Sequence, residues 1–211
     1  MRRAILALAS VTALLGANAA PRAEARFEGC SVEQRAVAAE ALIEASALSA
    51  AALAALRDPR RIRRLQRDEW ELWRVWFGDG SAQHHARVER VLGRVLAGLV
   101  PDARLEIHCG AAAVACREGA RAFAGYGFPY LGLCPAFFGA GVDRPALVVH
   151  ELTHLTANTR DYTYSDVSTR DLARRHADRA VRNAESYEAF VAALAGRRPH
   201  PDPDLYDDEG G

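Results

Sequence analysis

The sequence predicts a mainly helical α+β fold with a small antiparallel sheet and one helix that carries a His-Glu-x-x-His motif. Apolar residues recur at helical spacing before residue 100 and again after residue 145. Between these regions the chain changes to short alternating segments punctuated by Gly, which are typical of strands. Half of the 211 residues are hydrophobic, enough for one domain with a core of its own.

The predicted helices have recognisable ends. The first is expected to begin at a capping box, Ser31-Val-Glu-Gln34, and to run to about Arg57, shortly before Pro59. A second amphipathic helix is expected over 82–100. Two further helical regions are expected, one after Pro145 through His154 and one over 167–195 with a break near Asn183.

Three short strands are predicted in the middle of the chain. They span 104–109, 122–126 and 130–134, with a turn at 127–129 between the last two. A hairpin of this kind, joined by one more strand, predicts an antiparallel sheet.

The first residues have the order of parts of an export signal. Arg2 and Arg3 precede an uncharged apolar run from Ala4 to Gly16, and 17–19 reads Ala-Asn-Ala, a small-x-small cleavage site. Residues 1–19 are therefore predicted to be a signal peptide, with cleavage as late as residue 25 as the alternative.

The rest of the chain is predicted to be one exported domain. It covers 26–196, and the tail 197–211, rich in Pro and Asp, is expected to be disordered. No segment after the signal is expected to cross a membrane, so the protein should be secreted or periplasmic, and we expect a monomer. The net charge of zero gives no reason to expect a nucleic-acid partner.

Four cysteines read as two disulfides in an exported chain. They are Cys30, Cys109, Cys116 and Cys134. None forms a Cys-x-x-Cys pair, which disfavours a zinc site built from cysteines. Four cysteines allow three pairings, and their spacing does not choose among them.

The strongest chemical signal is His-Glu-Leu-Thr-His at 150–154. On a helix, His150 and His154 share a face, so both imidazoles can bind one cation. Glu151 lies one step round the helix, where it can reach a metal-bound water and act as the general base. The apolar run at 146–149 predicts that this helix is buried, and buried imidazoles need partners. We therefore predict one zinc ion here.

Zinc needs a third protein ligand and an open coordination position. Asp161 and Asp166 lie shortly after the motif, and the next His is His176. A nearby Asp is the economical choice, with His176 as the reserve.

The segment after the motif resembles a known family. Asn158-Thr-Arg-Asp-Tyr-Thr-Tyr-Ser165 is similar to the Gly-Thr-x-Asp-x-x-Tyr-Gly motif of the aspzincins, the deuterolysin-like metallopeptidases with a zincin-like fold. The motif's two Gly positions hold Asn and Ser in this chain. The resemblance implies that Asp161 is the third zinc ligand and that Tyr164 helps to stabilise the oxyanion of the reaction.

Within that family the chain most resembles the peptidyl-Lys metalloendopeptidases. The similar segments are 28–34, 76–78, 131–138 and 183–190. The resemblance implies the disulfides Cys30–Cys109 and Cys116–Cys134. It also implies that Glu185 and Glu188 bind the Lys side chain just after the cleaved bond, with Glu185 in a position where the family has Asp. From the residues alone, a solvated acidic helix face is the alternative for these two Glu.

Together these observations predict a secreted zinc endopeptidase that acts on proteins or peptides and cleaves on the N-terminal side of Lys, with Arg left open. The alternative is a catalytically silent zinc-binding domain that recognises basic peptides. All 27 basic residues of the chain are Arg and none is Lys, so a Lys-directed enzyme of this sequence would not cleave itself. A genome that favours Arg is the better explanation of that composition.

Overall fold

The computed structural model describes residues 25–57, 68–79, 81–100, 104–110, 113–125 and 128–198. The predicted signal peptide and residues 199–211 of the predicted tail lie outside this part of the chain. The helices are α1 (Val32–Arg57), α2 (Asp68–Phe77), α3 (Ala82–Gly98), α4 (Val114–Arg117), α5 (Arg144–Ala157), α6 (Asp166–Arg175), α7 (Ala177–Ala180) and α8 (Ala184–Leu194). The strands are β1 (Arg26–Glu28), β2 (Glu106–Cys109), β3 (Ala122–Gly125) and β4 (Phe128–Leu133), and a 3₁₀ turn spans Pro135–Phe138.

The predicted capping box at the start of α1 is confirmed. The Ser31 hydroxyl accepts a hydrogen bond from the Gln34 backbone N–H at 3.2 Å, and the Gln34 side chain accepts one from the Ser31 N–H at 2.9 Å. This reciprocal pair satisfies two N–H groups that the first helical turn leaves without partners. The helix is continuous to Arg57, the last residue described in this segment.

α1 corrects one expectation about membranes. By length and composition alone, this helix of 26 residues could span a bilayer. From the sequence, no segment after the signal was expected to be long and apolar enough for that. The same helix packs against α3, α5 and α8 and buries residues along its length, including Ala45 and Ala52. This packing is typical of a core helix in a folded domain.

The sheet is mixed, so the prediction of an antiparallel sheet is wrong. Its strand order is β1-β2-β4-β3; β1 pairs with β2 and β2 with β4 in parallel, whereas β3 and β4 are antiparallel. The sequence indicated β2 and the hairpin but neither β1 nor the parallel pairing, because β1 has three residues and its partner lies far along the chain. The predicted turn at 127–129 is also placed too late, since β4 begins at Phe128. β3 is an edge strand.

Two disulfides hold the sheet to its surroundings. Cys30–Cys109 joins the segment before α1 to the end of β2, and Cys116–Cys134 joins α4 to the residue after β4. These are the pairings that the family resemblance implies, and the described residues contain no free cysteine.

The core is built around α5. This helix contacts α1, α3 and α8 as well as β3 and β4, and most of its residues from Pro145 to His154 are buried. Aromatic packing ties α2 to α8, because the Phe77 ring lies 5.1 Å from that of Tyr187 and 5.3 Å from that of Phe190. A polar motif on so buried a helix is held rigidly by its neighbours.

Candidate metal centre and acidic pocket

The start of α5 is fixed by two polar side chains. Asp143 caps the helix by accepting from the Ala146 N–H at 3.4 Å. The Arg144 guanidinium donates to the carbonyls of Phe137, Phe138 and Gly139 at 2.9, 3.2 and 2.7 Å. These bonds set the helix against the 3₁₀ turn that follows β4, and so fix the positions of the motif residues farther along.

Three side chains of the predicted metal site come together. His150 Nε2 and His154 Nε2 each lie 3.1 Å from Asp161 Oδ1. Ligands that surround zinc tetrahedrally at ~2.0–2.1 Å are about 3.3 Å apart, so these separations suit a shared ion. Asp161 Oδ1 is buried and faces the two imidazole nitrogens, so a cation bound among the three would relieve the cost of burying it. The donor set of two imidazoles and one carboxylate therefore fits zinc.

The surroundings favour a charged Asp161. Burial acts to raise the pKa of its carboxyl group, but the contacts with His150 and His154 outweigh burial and hold the pKa well below its usual range. Asp161 is therefore ionised at neutral pH, as a metal ligand must be. His176, the reserve ligand, lies exposed at the end of α6 and outside this cluster.

A hydrogen bond sets the proton position on His154. Its Nδ1 lies 3.0 Å from the Thr159 carbonyl oxygen, which can only accept, so Nδ1 carries the proton. The Nε2 lone pair is then left to face Asp161 and a metal ion. Thr159 is itself held by Thr153, whose hydroxyl lies 2.6 Å from the Thr159 hydroxyl.

His150 has a carboxylate partner that the sequence did not reveal in this role. Its Nδ1 lies 3.0 Å from Glu188 Oε2 and 3.7 Å from Glu185 Oε2. A carboxylate behind a metal-binding imidazole orients the ring and makes it a stronger ligand. Sequence reasoning assigned both Glu residues to substrate alone, because no local pattern connects α8 with α5.

Glu151 lies next to the cluster in a buried position. Glu151 is only 6% exposed. Burial raises the pKa of its carboxyl group to about 7, even though both neighbouring imidazoles act to lower that pKa. A carboxyl group with such a pKa can both take up and release a proton near neutral pH. This is the property that a general base of the predicted kind needs.

An acidic pocket adjoins the metal cluster. Glu185 and Glu188, one helical turn apart on α8, both pair with the Arg198 guanidinium, at 3.1 and 3.0 Å. Asp166, the first residue of α6, lies 2.6 Å from the same guanidinium. The solvated acidic face that was the alternative for the two Glu is wrong, because their side chains are only 8% and 13% exposed.

Comparison with known proteins bears on the same residues. The aspzincin family model, described as lysine-specific metallo-endopeptidase, matches residues 66–192, more than half of the chain. The chain belongs to the aspzincin family. The matched range includes the HExxH helix, Asp161 and both Glu residues of the pocket, and the metal of this family is zinc.

Two curated relatives are similar to part of this chain. A peptidyl-Lys metalloendopeptidase of Pleurotus ostreatus is 37% identical over 70 residues, which are 30% of this chain and 42% of that protein. Another, of Grifola frondosa, is 42% identical over 64 residues, 28% of this chain and 18% of that protein. The chain thus spans less than half the length of either relative. The solved structure of a zinc peptidase from Grifola frondosa has a TM-score of 0.60 at 24% identity, covering 77% of this chain and 96% of that one, and it shows the shared fold.

The structure explains both departures from the aspzincin motif. Asn158 ends α5 in the left-handed conformation, with φ 52° and ψ 47°, and Asn tolerates that region better than most residues do. Ser165 caps α6, because its hydroxyl accepts from the Ser168 N–H at 3.2 Å. Each residue therefore has a local structural role: Asn158 ends one helix and Ser165 caps the next. Tyr164, between them, is 74% exposed on the surface that follows Asp161.

Asn183 holds the loop that presents Asp161 to the aspzincin site. Its side-chain oxygen accepts from the backbone N–H groups of Tyr162 and Thr163, at 2.9 and 3.4 Å. Its amide donates to the hydroxyls of Thr163 and Ser186, at 3.1 and 3.2 Å. From the sequence, Asn183 was expected to lie near a helix break and at the start of the similar segment 183–190, with no role in holding this loop. Its role appears only once α8 is packed beside the loop.

Replacing Asn183 with Ala is expected to weaken zinc binding about tenfold, because Asp161 would lose the frame that positions it. Competition with a chromogenic chelator would measure the zinc affinity. Asn158→Gly is the matched control: it removes an exposed amide from the same loop and suits the left-handed backbone, so zinc affinity should not change. Equal affinities in Asn183→Ala and the unaltered chain would contradict the assigned role.

Proposed function

We propose that this aspzincin is a secreted zinc endopeptidase that cleaves peptide bonds on the N-terminal side of Lys, with Arg as the second candidate residue. The observation that supports this most is the convergence of His150, His154 and Asp161 next to the buried Glu151. The acidic pocket adjoins the same site through the contact between Glu188 and His150.

His150, His154 and Asp161 would hold one zinc ion and leave a coordination position open for water or substrate. When bound, zinc supplies Lewis acidity, which makes water a better nucleophile and polarises the peptide carbonyl. Thr159 and Glu188 keep the two imidazoles oriented so that each presents Nε2.

Glu151 is the proton carrier of the proposed reaction. Its carboxylate takes a proton from the attacking water and passes it to the nitrogen of the leaving amine. The pKa of about 7 that burial gives Glu151 suits both transfers. The Tyr164 hydroxyl would donate a hydrogen bond to the negative charge that develops on the carbonyl oxygen. Its exposure leaves it accessible to an arriving substrate.

Glu185 and Glu188 would receive the basic side chain that follows the cleaved bond. Their contacts with His150 support a basic-residue pocket next to the proposed zinc site. β3 contacts α5 and, among the described strands, pairs only with β4, so its other side would be the one to pair with an extended substrate backbone. Two disulfides suit an oxidising compartment, which supports export.

Digestion of an unfolded protein rich in Lys and Arg would test this proposal. Mass spectrometry of the products should find new N-termini that begin with Lys, and a chelator should stop cleavage until zinc is returned. New N-termini distributed without regard to their first residue would contradict the proposed preference for a basic residue but not the proposed peptidase activity.

The alternative function, a silent zinc domain that recognises basic peptides, predicts binding without any new N-termini. The same digest therefore separates the two. Glu151 is buried beside the three residues that would bind the ion, and this favours the enzyme because burying a carboxyl group costs stability.

A further inference from the structure

The acidic pocket contains a side chain of the chain itself. Arg198 Nη1 lies 2.6 Å from Asp166 Oδ1 and 3.1 Å from Glu185 Oε1, and its Nη2 lies 3.0 Å from Glu188 Oε1. The sequence placed this residue in the tail that begins at 197. In the structure its side chain is only 20% exposed, so it is inserted among the three carboxylates rather than lying over them.

The two Glu residues need a cation. They lie three positions apart on one helix, both mostly shielded from water, and two such carboxylates repel each other. The side chains of Glu185 and Glu188 are 8% and 13% exposed, so water screens this repulsion poorly. The carboxylate of Glu188 also faces His150, so it is shared between two partners. The Arg198 guanidinium brings a positive charge into contact with both carboxylates.

The shape of the pocket suits a guanidinium. One terminal nitrogen contacts carboxylates from two different helices, α6 and α8, while the other reaches a third carboxylate. A guanidinium spreads its N–H donors over a rigid planar fork and so reaches carboxylates on separate helices, whereas an ammonium carries its three donors on one compact nitrogen.

The preceding residue anchors the turn that delivers Arg198. The Arg197 guanidinium lies 2.5 Å from Glu44 Oε2 on α1 and 3.3 Å from Asp143 Oδ1 at the cap of α5. The Arg197 backbone N–H also donates to the Ala192 carbonyl at 2.8 Å. The end of α8 is thereby attached to two other helices, and the next side chain is directed into the pocket.

We propose that the acidic pocket is a guanidinium-binding site that Arg198 fills, so that a basic side chain from outside has to displace it. The link to substrate rests on the proposed function, whereas the binding of a basic ligand does not. A site occupied internally binds an external ligand more weakly, in proportion to the fraction of molecules in which it is open.

Removing Arg198 should therefore expose the site. Calorimetry on the full chain would measure binding of argininamide and lysinamide, whose α-nitrogen carries no acyl group, so neither contains the bond that the proposed enzyme would cleave. Arg198→Ala is expected to bind both about tenfold or more tightly than the unaltered chain, with the greater gain for the arginine compound. Arg174→Ala, which removes a surface Arg paired with Asp171, is the matched control and should bind as the unaltered chain does.

Equal affinity of the unaltered chain and Arg198→Ala for both compounds would overturn the proposal. Circular dichroism would check that Arg198→Ala folds. If it does not, Arg198→Gln, whose side chain is closer in size to that of Arg, replaces it. Unchanged binding by the Gln variant would contradict the proposal equally. The KM for Lys peptides should fall in parallel. If Arg198→Ala bound the two compounds more tightly but no variant cleaved peptides, only the proposed function would be contradicted. If the chain cleaved before Lys but Arg198→Ala bound the compounds no more tightly, only this inference would be contradicted.

Discussion

Replacing Glu151 with Gln is expected to lower kcat/KM for a Lys-containing peptide by about 10⁴-fold while leaving one zinc ion per chain. The amide is nearly the same size as the carboxyl group but cannot accept a proton from water at neutral pH. The three residues that would bind zinc are not altered. Peptide cleavage rates and elemental analysis of zinc on the same sample would measure the two effects separately.

The matched control for this prediction is Glu89→Gln. Glu89 lies on α3 and pairs with Arg57 on α1, in a partly exposed contact. The substitution makes the same chemical change away from the site and should leave the rate within about twofold, since such surface pairs contribute little. A Glu151→Gln variant that kept a tenth of the activity would show that another group carries the proton.

Replacing Asp161 with Ala is expected to remove both the zinc ion and the activity. Two imidazoles would remain, and a third protein ligand is what zinc sites of this kind require. We expect the zinc affinity to fall more than 10²-fold, beyond the loss that follows removal of a group behind a ligand. Dialysis against a defined free-zinc buffer, followed by elemental analysis, would measure it.

Asp171→Ala is the control for Asp161→Ala. Asp171 lies on the exposed side of α6 and pairs with Arg174 and Arg175, so its removal deletes a carboxylate without touching the site. Zinc content and activity should stay at the level of the unaltered chain. If Asp161→Ala retained full zinc and full activity, the ligand assignment would be wrong.

The parts of the molecule that local sequence could predict are those with local causes. The capping box at Ser31 and the helical spacing of apolar residues fix α1 without reference to the rest of the chain. The helix period was enough to bring His150 and His154 together, and the resemblance of 158–165 to the aspzincin motif implied Asp161 as the third ligand.

The parts that escaped prediction depend on contacts between distant segments. The parallel pairing of β1 with β2 leaves no trace in either strand's own pattern. The contact of Glu188 with His150 needs α8 to be packed against α5. Arg198 was assigned to a polar tail by composition, and only the folded arrangement of α6 and α8 reveals what it contacts.

The double contact of Glu188 restricts how the selectivity of this protein can change. One of its oxygens faces a would-be zinc ligand and the other faces the pocket. A mutation there that altered which side chain is accepted would also disturb the geometry around the ion. Asp166 and Glu185 are therefore the positions at which substitution would change the proposed side-chain preference with less effect on the zinc ligands. Asp166 is the freer of the two, because Glu185 also lies near the same imidazole.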